Sequence, residues 1–386
     1  MAFSGFALTV LLLQLSMASR ARPCADQERS SLLRFVVGLS RDGGLATSWR
    51  RSNATAGCCS WEGVACDGDG AVVEVSLPGR GLQGPVSPAL GDLAGLRRLN
   101  LSRNSLSGEL PLEKLLSSSR GLVAIDVSFN RLEGELRELT PYSATGGRPL
   151  QVLNISSNLF TGEFPSATWK VMNSLVALNA SNNSFHGWMP SSFCISSPSF
   201  AVLDLSNNRF SGRIPAGLGN CSELRVLKAG HNNLSGALPD ELFNASSLEY
   251  ISFPNNGLYG KLDGSRMTNL RNLAHLDLGG NMLNGKIPDS IGELRRLEVL
   301  HLDHNDMSGE LPSALSNCTN LITIDLRNNY FSGELTWVNF STLINLKTLD
   351  LLFNNFSGTI PESIYSCRNL AEIWKQLTWA AFAEDC

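Results

Sequence analysis

The chain has 386 residues, enough for one large domain or two or three ordinary ones. With 43% hydrophobic and 17% charged residues and a net charge of −4, it has the make-up of a folded soluble protein. It shows neither the basic footprint of a nucleic-acid binder nor a basic run suited to a membrane surface.

The N-terminus comes first. Residues 1–22 read as a secretory signal peptide, because FALTVLLLQL (Phe6 to Leu15) is an apolar core of signal length followed by small Ser16, Ala18 and Ala21. No later stretch approaches the roughly 18 to 20 apolar residues of a spanning helix, so no direct membrane span is expected. Cysteine usage agrees with export. Four of the nine cysteines, Cys24, Cys58, Cys59 and Cys66, cluster before residue 70 and predict two disulfides of an oxidising compartment. Adjacent Cys58 and Cys59 do not fit the C-x₂-C spacing of a zinc site, and sequence alone leaves the pairing of four cysteines open. Between them, DQERSSLLRFVVGL predicts a helix with Leu32, Phe35, Val36 and Leu39 on one face.

From residue 71 to 369 the chain repeats itself. FAVLDLSNNRFSGRIP from Phe200, LAHLDLGGNMLNGKIP from Leu273, LEVLHLDHNDMSGELP from Leu297 and LKTLDLLFNNFSGTIP from Leu346 are one unit written four times. The asparagine closing each L-x-L-x-x-N core sets the register. It recurs at Asn104, Asn130, Asn158, Asn183, Asn208, Asn232, Asn256, Asn281, Asn305, Asn329 and Asn354, and an opening unit around Arg80 makes about twelve repeats. Alternate leucines such as Leu300 and Leu302 predict a short strand facing a core. The asparagine amide is suited to satisfying backbone groups of neighbouring turns, the following glycine permits a bend, and the proline leads away from the sheet. One unit cannot bury its leucines alone; stacked units share a continuous core.

These units resemble the leucine-rich repeat, with LSGxIP the plant-specific ending, and the segment 23–70 with its CCSWEGVAC phrase resembles the N-terminal cap of plant receptor ectodomains. The resemblance covers roughly residues 24–369, and its wording is similar to the phytosulfokine and tyrosine-sulfated-glycopeptide receptor group. It implies an α/β solenoid: a plant-type right-handed superhelix with a disulfide-bonded N-terminal cap, in which Cys24 pairs with Cys58 and Cys59 with Cys66. Residues 370–386 form a divergent tail, in which Trp374, Leu377, Trp379 and Phe382 could fold back as a makeshift cap. The resembled receptors continue with more repeats, a membrane span and a kinase, so the sequence reads as a truncated or soluble form of such a receptor.

Several stretches imitate chemistry. GRGLQG (Gly79 to Gly84) matches G-x-G-x-x-G, but Pro85 and Pro88 follow where a nucleotide site needs a helix to open. Cys194, Cys221, Cys318 and Cys367 recur on the segments behind the sheet and read as buried structural thiols. His301, Asp303 and His304 crowd into four residues, but strand alternation explains them. Residues flanking the core leucines face the concave surface, which places His301 laterally between Asp277 and Asp325. The candidate ligand-binding row is Lys228, His231, Tyr250, His275, Asp277, His301, Asp303, His304, Asp325 and Arg327. Its competitors are an ordinary solvated face and a metal site, and no spacing fixes a tetrahedral ligand set.

Acceptors for N-glycosylation begin at Asn53, Asn100, Asn154, Asn179, Asn182, Asn220, Asn233, Asn244, Asn317, Asn339 and Asn355. Glycans at Asn100, Asn154, Asn179 and Asn182 would crowd the early concave face, which points binding to the later repeats. The expectation is an extracellular recognition domain of a plant cell-surface receptor in peptide-hormone or defence signalling. It has no catalytic residues, metal or cofactor. Its partners are a secreted peptide or protein ligand and a co-receptor ectodomain, not nucleic acid. It is secreted to the apoplast, the longer parent receptor sitting at the plasma membrane. The alternative is a secreted protein similar to polygalacturonase inhibitors.

Overall fold

Residues 24–51, 57–118, 121–138, 148–165, 168 and 172–374 are described by the computed structural model. The expected signal segment 1–22, the acceptor at Asn53, and Leu377, Trp379 and Phe382 of the tail lie outside them. The chain divides into two units, Met1–Asn183 and Ser184–Cys386.

The first unit opens with α1 (Asp26–Val37) and α2 (Leu45–Arg51). Asp26 and Glu28 lie in the first turn of α1, where carboxylates suit the positive end of the helix dipole. Its apolar stripe buries Leu32, Phe35 and Val36. Gly38 caps the helix, so Leu39, which the periodicity places on the same face, lies past the helix end and is half-buried. Glu28 is buried, and its Oε1 accepts a hydrogen bond from the Val72 amide at 3.1 Å, which ties the helix to the first repeat. Trp49 stacks on Trp61 at 4.9 Å and donates its indole N–H to the Glu62 carbonyl. Disulfides join Cys24 to Cys58 and Cys59 to Cys66, the pairs that the resemblance implied.

Strand Val64–Cys66 runs antiparallel to Val72–Ser76. From there Arg98–Asn100, Ala124–Asp126, Val152–Asn154 and Ala177–Asn179 add in parallel. The GRGLQG stretch opens no helix: Gln83–Pro85 is a strand paired with Ser105–Gly108.

In the second unit the ladder runs Val202–Asp204, Val226–Lys228, Tyr250–Ser252, His275–Asp277, Val299–His301, Thr323–Asp325, Thr348–Asp350 and Glu372–Trp374, each parallel to the next. The repeat ladder therefore continues to Trp374, inside the stretch that reads as divergent. The central leucine or isoleucine of each strand from Leu203 to Leu349 and the apolar residue two positions on are buried. Residues on either side of the central position project from the opposite face.

The register asparagines do what their amide chemistry allows. Asn305 is buried; its Nδ2 donates to the Leu278 and Leu302 carbonyls, both at 3.0 Å, and its Oδ1 accepts from the Leu283 amide at 2.9 Å. One side chain thus satisfies backbone groups of two adjacent turns. The residue before it is left-handed in repeat after repeat: His231, Asn255, His304, Asn328 and Phe353 have φ between 50° and 55°.

After that turn comes a second ladder where the sequence reading expected only a bend. His186–Trp188, Arg209–Gly212, Asn233–Gly236, Gly257–Gly260, Met282–Gly285, Asp306–Gly309, Tyr330–Glu334 and Asn355–Ser357 pair in parallel. The pattern was present but short: one buried residue, such as Leu283, Met307 or Phe331, between two outward ones. Behind the sheet, short 3₁₀ turns such as Asp289–Glu293 and Ser313–Asn317 start just after prolines.

The later cysteines divide. Cys194 and Cys221 are bridged, with Cα atoms 5.0 Å apart, and not thiols as the sequence reading had them. Side chains of consecutive repeats stack behind the sheet, which brings two cysteines 27 residues apart within bridging reach. Cys318 and Cys367 are buried thiols that donate to the Ile291 and Phe340 carbonyls, each at 3.2 Å. Burial pushes the Cys318 thiol up to about 12, so it is not a nucleophile.

Candidate functional site

The outward face of the second unit's ladder is built on a default. The residue after each central leucine is commonly Asp or Asn, and its side chain caps the turn that follows. Oδ1 of Asp204, Asp277, Asp325 and Asp350 accepts from the amides of Ser206, Gly279, Arg327 and Leu352 at 3.0, 3.3, 3.2 and 3.1 Å. In the first unit Asn100, Asp126, Asn154 and Asn179 do the same for the serines two residues on. This is a local turn device, and it accounts for most of the carboxylates on the face without invoking a ligand. Among the strands from Val202 to Asp350 three abandon it, with Lys228, Ser252 and His301 in that position.

The departures fall in one lateral row. Register pairs Asp204 with Lys228, Lys228 with Ser252, Ser252 with Asp277, Asp277 with His301, His301 with Asp325 and Asp325 with Asp350. His301 therefore does lie between Asp277 and Asp325. The adjoining row pairs Tyr250 with His275 and His275 with Val299. Across the two rows the side chains form a connected series. The Lys228 ammonium sits 4.1 Å from the Tyr250 ring centre, Tyr250 stacks on His275 at 3.8 Å, and His275 meets His301 edge-on at 6.1 Å. Beneath them the Ser252 hydroxyl donates to Asp277 Oδ2 at 3.2 Å.

Burial sets the charges. It pulls the His275 imidazole down to about 3, with His301 and Lys228 adding to the shift, so His275 is neutral at any ordinary pH. It pushes the Tyr250 phenol up to about 12, with Asp277 and Asp204 contributing. Asp277 is raised by burial against the opposing pull of His301, and Asp325 by burial with Asp303 adding to it. The face thus offers a neutral imidazole and a phenol between a free ammonium on one side and partly desolvated carboxylates on the other.

The turn residues form a second cluster. His304 Nδ1 donates to Asp303 Oδ2 at 2.8 Å, and Asn328 Nδ2 donates to His304 Nε2. These roles fit the neutral tautomer protonated at Nδ1. Arg327 spans Asp325 and Asp350, 3.5 Å from each. Gly279 makes the Asp303 position possible, because a Cβ there would lie 2.5 Å from Asp303 Oδ1.

Nine of the ten expected row residues are thus joined by stacking, cation–π contact, ion pairing, hydrogen bonding or register to another of them. The His231 side chain has no such link. Sequence reasoning missed Asp350 and Asn328, although both stand at positions of the same repeat that it had used one turn earlier. It also missed Gly279, whose signal is the Gly-Gly where other repeats carry side chains. Among the described residues no group of three or more His, Cys, Asp or Glu is arranged to hold a metal ion, and no helix is long and apolar enough to cross a membrane.

Residues 25–67 match the leucine rich repeat N-terminal domain, and leucine rich repeat families match residues 96–120, 149–170, 199–221, 256–307 and 345–367. The chain carries leucine-rich repeats behind their N-terminal domain. Its relatives include phytosulfokine receptor 2 of Arabidopsis thaliana, 38% identical over 100 residues, which is 25% of this chain and 9% of the receptor. Receptor-like protein 3 of Arabidopsis thaliana is 41% identical over 99 residues, 25% of this chain and 13% of that protein. The solved structure of PEPR1 with AtPEP1 superposes with a TM-score of 0.76 at 29% identity, covering 91% of this chain and 51% of that one. The matched stretch of this leucine-rich-repeat chain spans about a tenth of these curated relatives and half of the PEPR1 chain. Its fold is that of plant leucine-rich-repeat receptor ectodomains.

Proposed function

We propose that this chain is the extracellular ligand-recognition domain of a plant cell-surface receptor, exported and without catalytic activity, and that a secreted peptide or protein lies across the ladder face from Lys228 to Arg327. The observation that carries the reading is the break in the turn-capping default. Lys228, Ser252 and His301 gain nothing for the local turn, yet Lys228 and His301 flank the stacked Tyr250 and His275 as one connected series. The solved PEPR1 structure, with AtPEP1 bound, supports a peptide as the class of ligand. A co-receptor ectodomain joining the bound complex belongs to the same reading, in hormone or defence signalling.

The test uses a pool of secreted plant peptides passed over immobilised wild-type protein and a K228A/H301A variant, with bound peptides identified by mass spectrometry. Both side chains are half-exposed, so the variant is expected to fold. The reading expects peptides retained by wild type and reduced about tenfold or more on the variant, since losing a desolvated charge contact and a stacked edge removes about 1.4 kcal/mol or more. Equal retention by both proteins, or none by either, counts against the face as a peptide site.

A further inference from the structure

The second ladder of the Ser184–Cys386 unit carries a charge order that the ligand face does not explain. The residue following each left-handed glycine is exposed and points off the flank of the repeats. In chain order these residues are Trp188, Arg213, Ala237, Lys261, Lys286, Glu310, Glu334 and Thr359. Successive repeats bring them side by side, as the packing of Lys261 against Gly285, Lys286 against Gly309 and Glu310 against Gly333 shows. From Ala237 to Thr359 two cations are thus followed by two anions, with an uncharged residue on either side, and Arg213 stands one repeat farther out. Among the described residues none of the four charges makes an ion pair.

Such a row is complementary to itself. Turned by a two-fold axis between Lys286 and Glu310, it sets Lys286 against the other copy's Glu310 and Lys261 against Glu334. Three further observations share that centre. Exposed Tyr259, Met282 and Tyr330 lie on the four strands from Gly257 to Glu334, at 48%, 50% and 59% exposure. A groove of about 380 Å³ opens beside the centre, with Lys286, Ile287, Glu310 and Pro312 among its walls and Trp337, 62% exposed, at its edge. The glycan acceptors on this ladder, Asn233 and Asn355, stand one repeat beyond either end of the charged row, in the repeats of Ala237 and Thr359, and the four strands between them carry none.

We infer that this flank is an isologous interface for a second copy of the chain. The two-fold arrangement converts an unpaired charge order into cross-pairs and covers aromatic surface with its own equivalent. The acceptors at both ends leave room for glycans outside the contact. The inference is independent of what the ladder face binds.

The experiment measures the mass of the full secreted, glycosylated protein in solution by sedimentation equilibrium across protein and salt concentration. The expected result is a concentration-dependent dimer that weakens as salt rises. E310K places like charges across both symmetric contacts and should weaken dimerisation about tenfold or more, while K286E/E310K restores opposite charges and recovers it. D306N is the second arm. It completes an N-x-S acceptor with Ser308 at the centre of the surface, and the attached glycan should give a monomer. A protein that stays monomeric at every concentration, or a dimer indifferent to E310K and to D306N glycosylation, overturns the inference.

Discussion

His275 shows how a single side chain on this face couples recognition to proton balance. Its imidazole is stacked on Tyr250 and mostly buried, which holds its folded value at about 3 against 6.5 in the unfolded chain. Between those two values the unfolded state binds a proton that the folded state refuses, so this group's contribution to stability falls as pH drops through the window. Asp277 and Asp325 act in the opposite sense. Their folded values are raised above 3.8, so the folded state holds protons that the unfolded state has released, and their contribution grows as pH falls through the raised values. Replacing His275 by Gln removes the first effect and leaves the second. Urea midpoints taken at about pH 6.5 and about pH 4 should therefore fall less between the two pH values in H275Q than in wild type. Midpoints that fall in parallel would mean that His275 protonates freely in the folded protein and is not held as the burial requires.

At the scale of the element, the repeat's turn is the costly part. Each repeat places the residue before its asparagine in the left-handed region, which asparagine and glycine tolerate best. Asn255, Asn328, His231 and His304 are of types enriched there, and Phe353 is not. Phe353 is 58% exposed, so its ring recovers little by packing. Phe353→Asn keeps the backbone bond from Asn329 to the residue 353 carbonyl and should raise stability by about 0.5 to 1 kcal/mol in chemical denaturation. A loss of stability would show that the ring is packed in solution.

This turn also marks the limit of what could be read in advance. The asparagine ladder, the leucine core and the lateral order of His301 between two aspartates were legible, because a period of 24 or 25 residues repeats the same chemistry many times over. The left-handed residue was not, because it has no fixed identity: Arg103, Phe129, Ser157 and His304 all occupy it. The turn-capping role of Asp204 and Asp325 was equally hidden, since a carboxylate bonded to an amide two residues away looks the same in sequence as one reaching for a ligand. The Cys194–Cys221 bridge escaped because Cys194 lies outside the phrase that Cys221, Cys318 and Cys367 share.

For the molecule as a whole, the decisive asymmetry is where its glycan acceptors lie. In the first unit Asn100, Asn154 and Asn179 stand on the ladder, half-buried, each with its Oδ1 held by the serine of its own acceptor sequence. In the second unit Asn220, Asn233, Asn244, Asn317, Asn339 and Asn355 are all exposed, and none is on the ladder from Val202 to Trp374. One substitution transfers the first unit's pattern to the second. Asp204 occupies the same turn-capping position as Asn179, its Oδ1 accepts from the Ser206 amide at 3.0 Å, and it pairs in register with Lys228. D204N keeps an oxygen for that bond and completes an N-x-S acceptor with Ser206, so the turn should survive while a glycan is attached one strand from Lys228. D204N/S206A retains the amide and removes the acceptor. If the row beginning at Lys228 is where ligand lies, peptide retention should be lost in D204N and preserved in D204N/S206A. The glycan should be verified by the mass of the tryptic fragment and folding by an unchanged circular dichroism spectrum. Retention by glycosylated D204N would move the contact away from Lys228, and loss in both variants would assign the effect to the Asp204 carboxylate and not to the covered face.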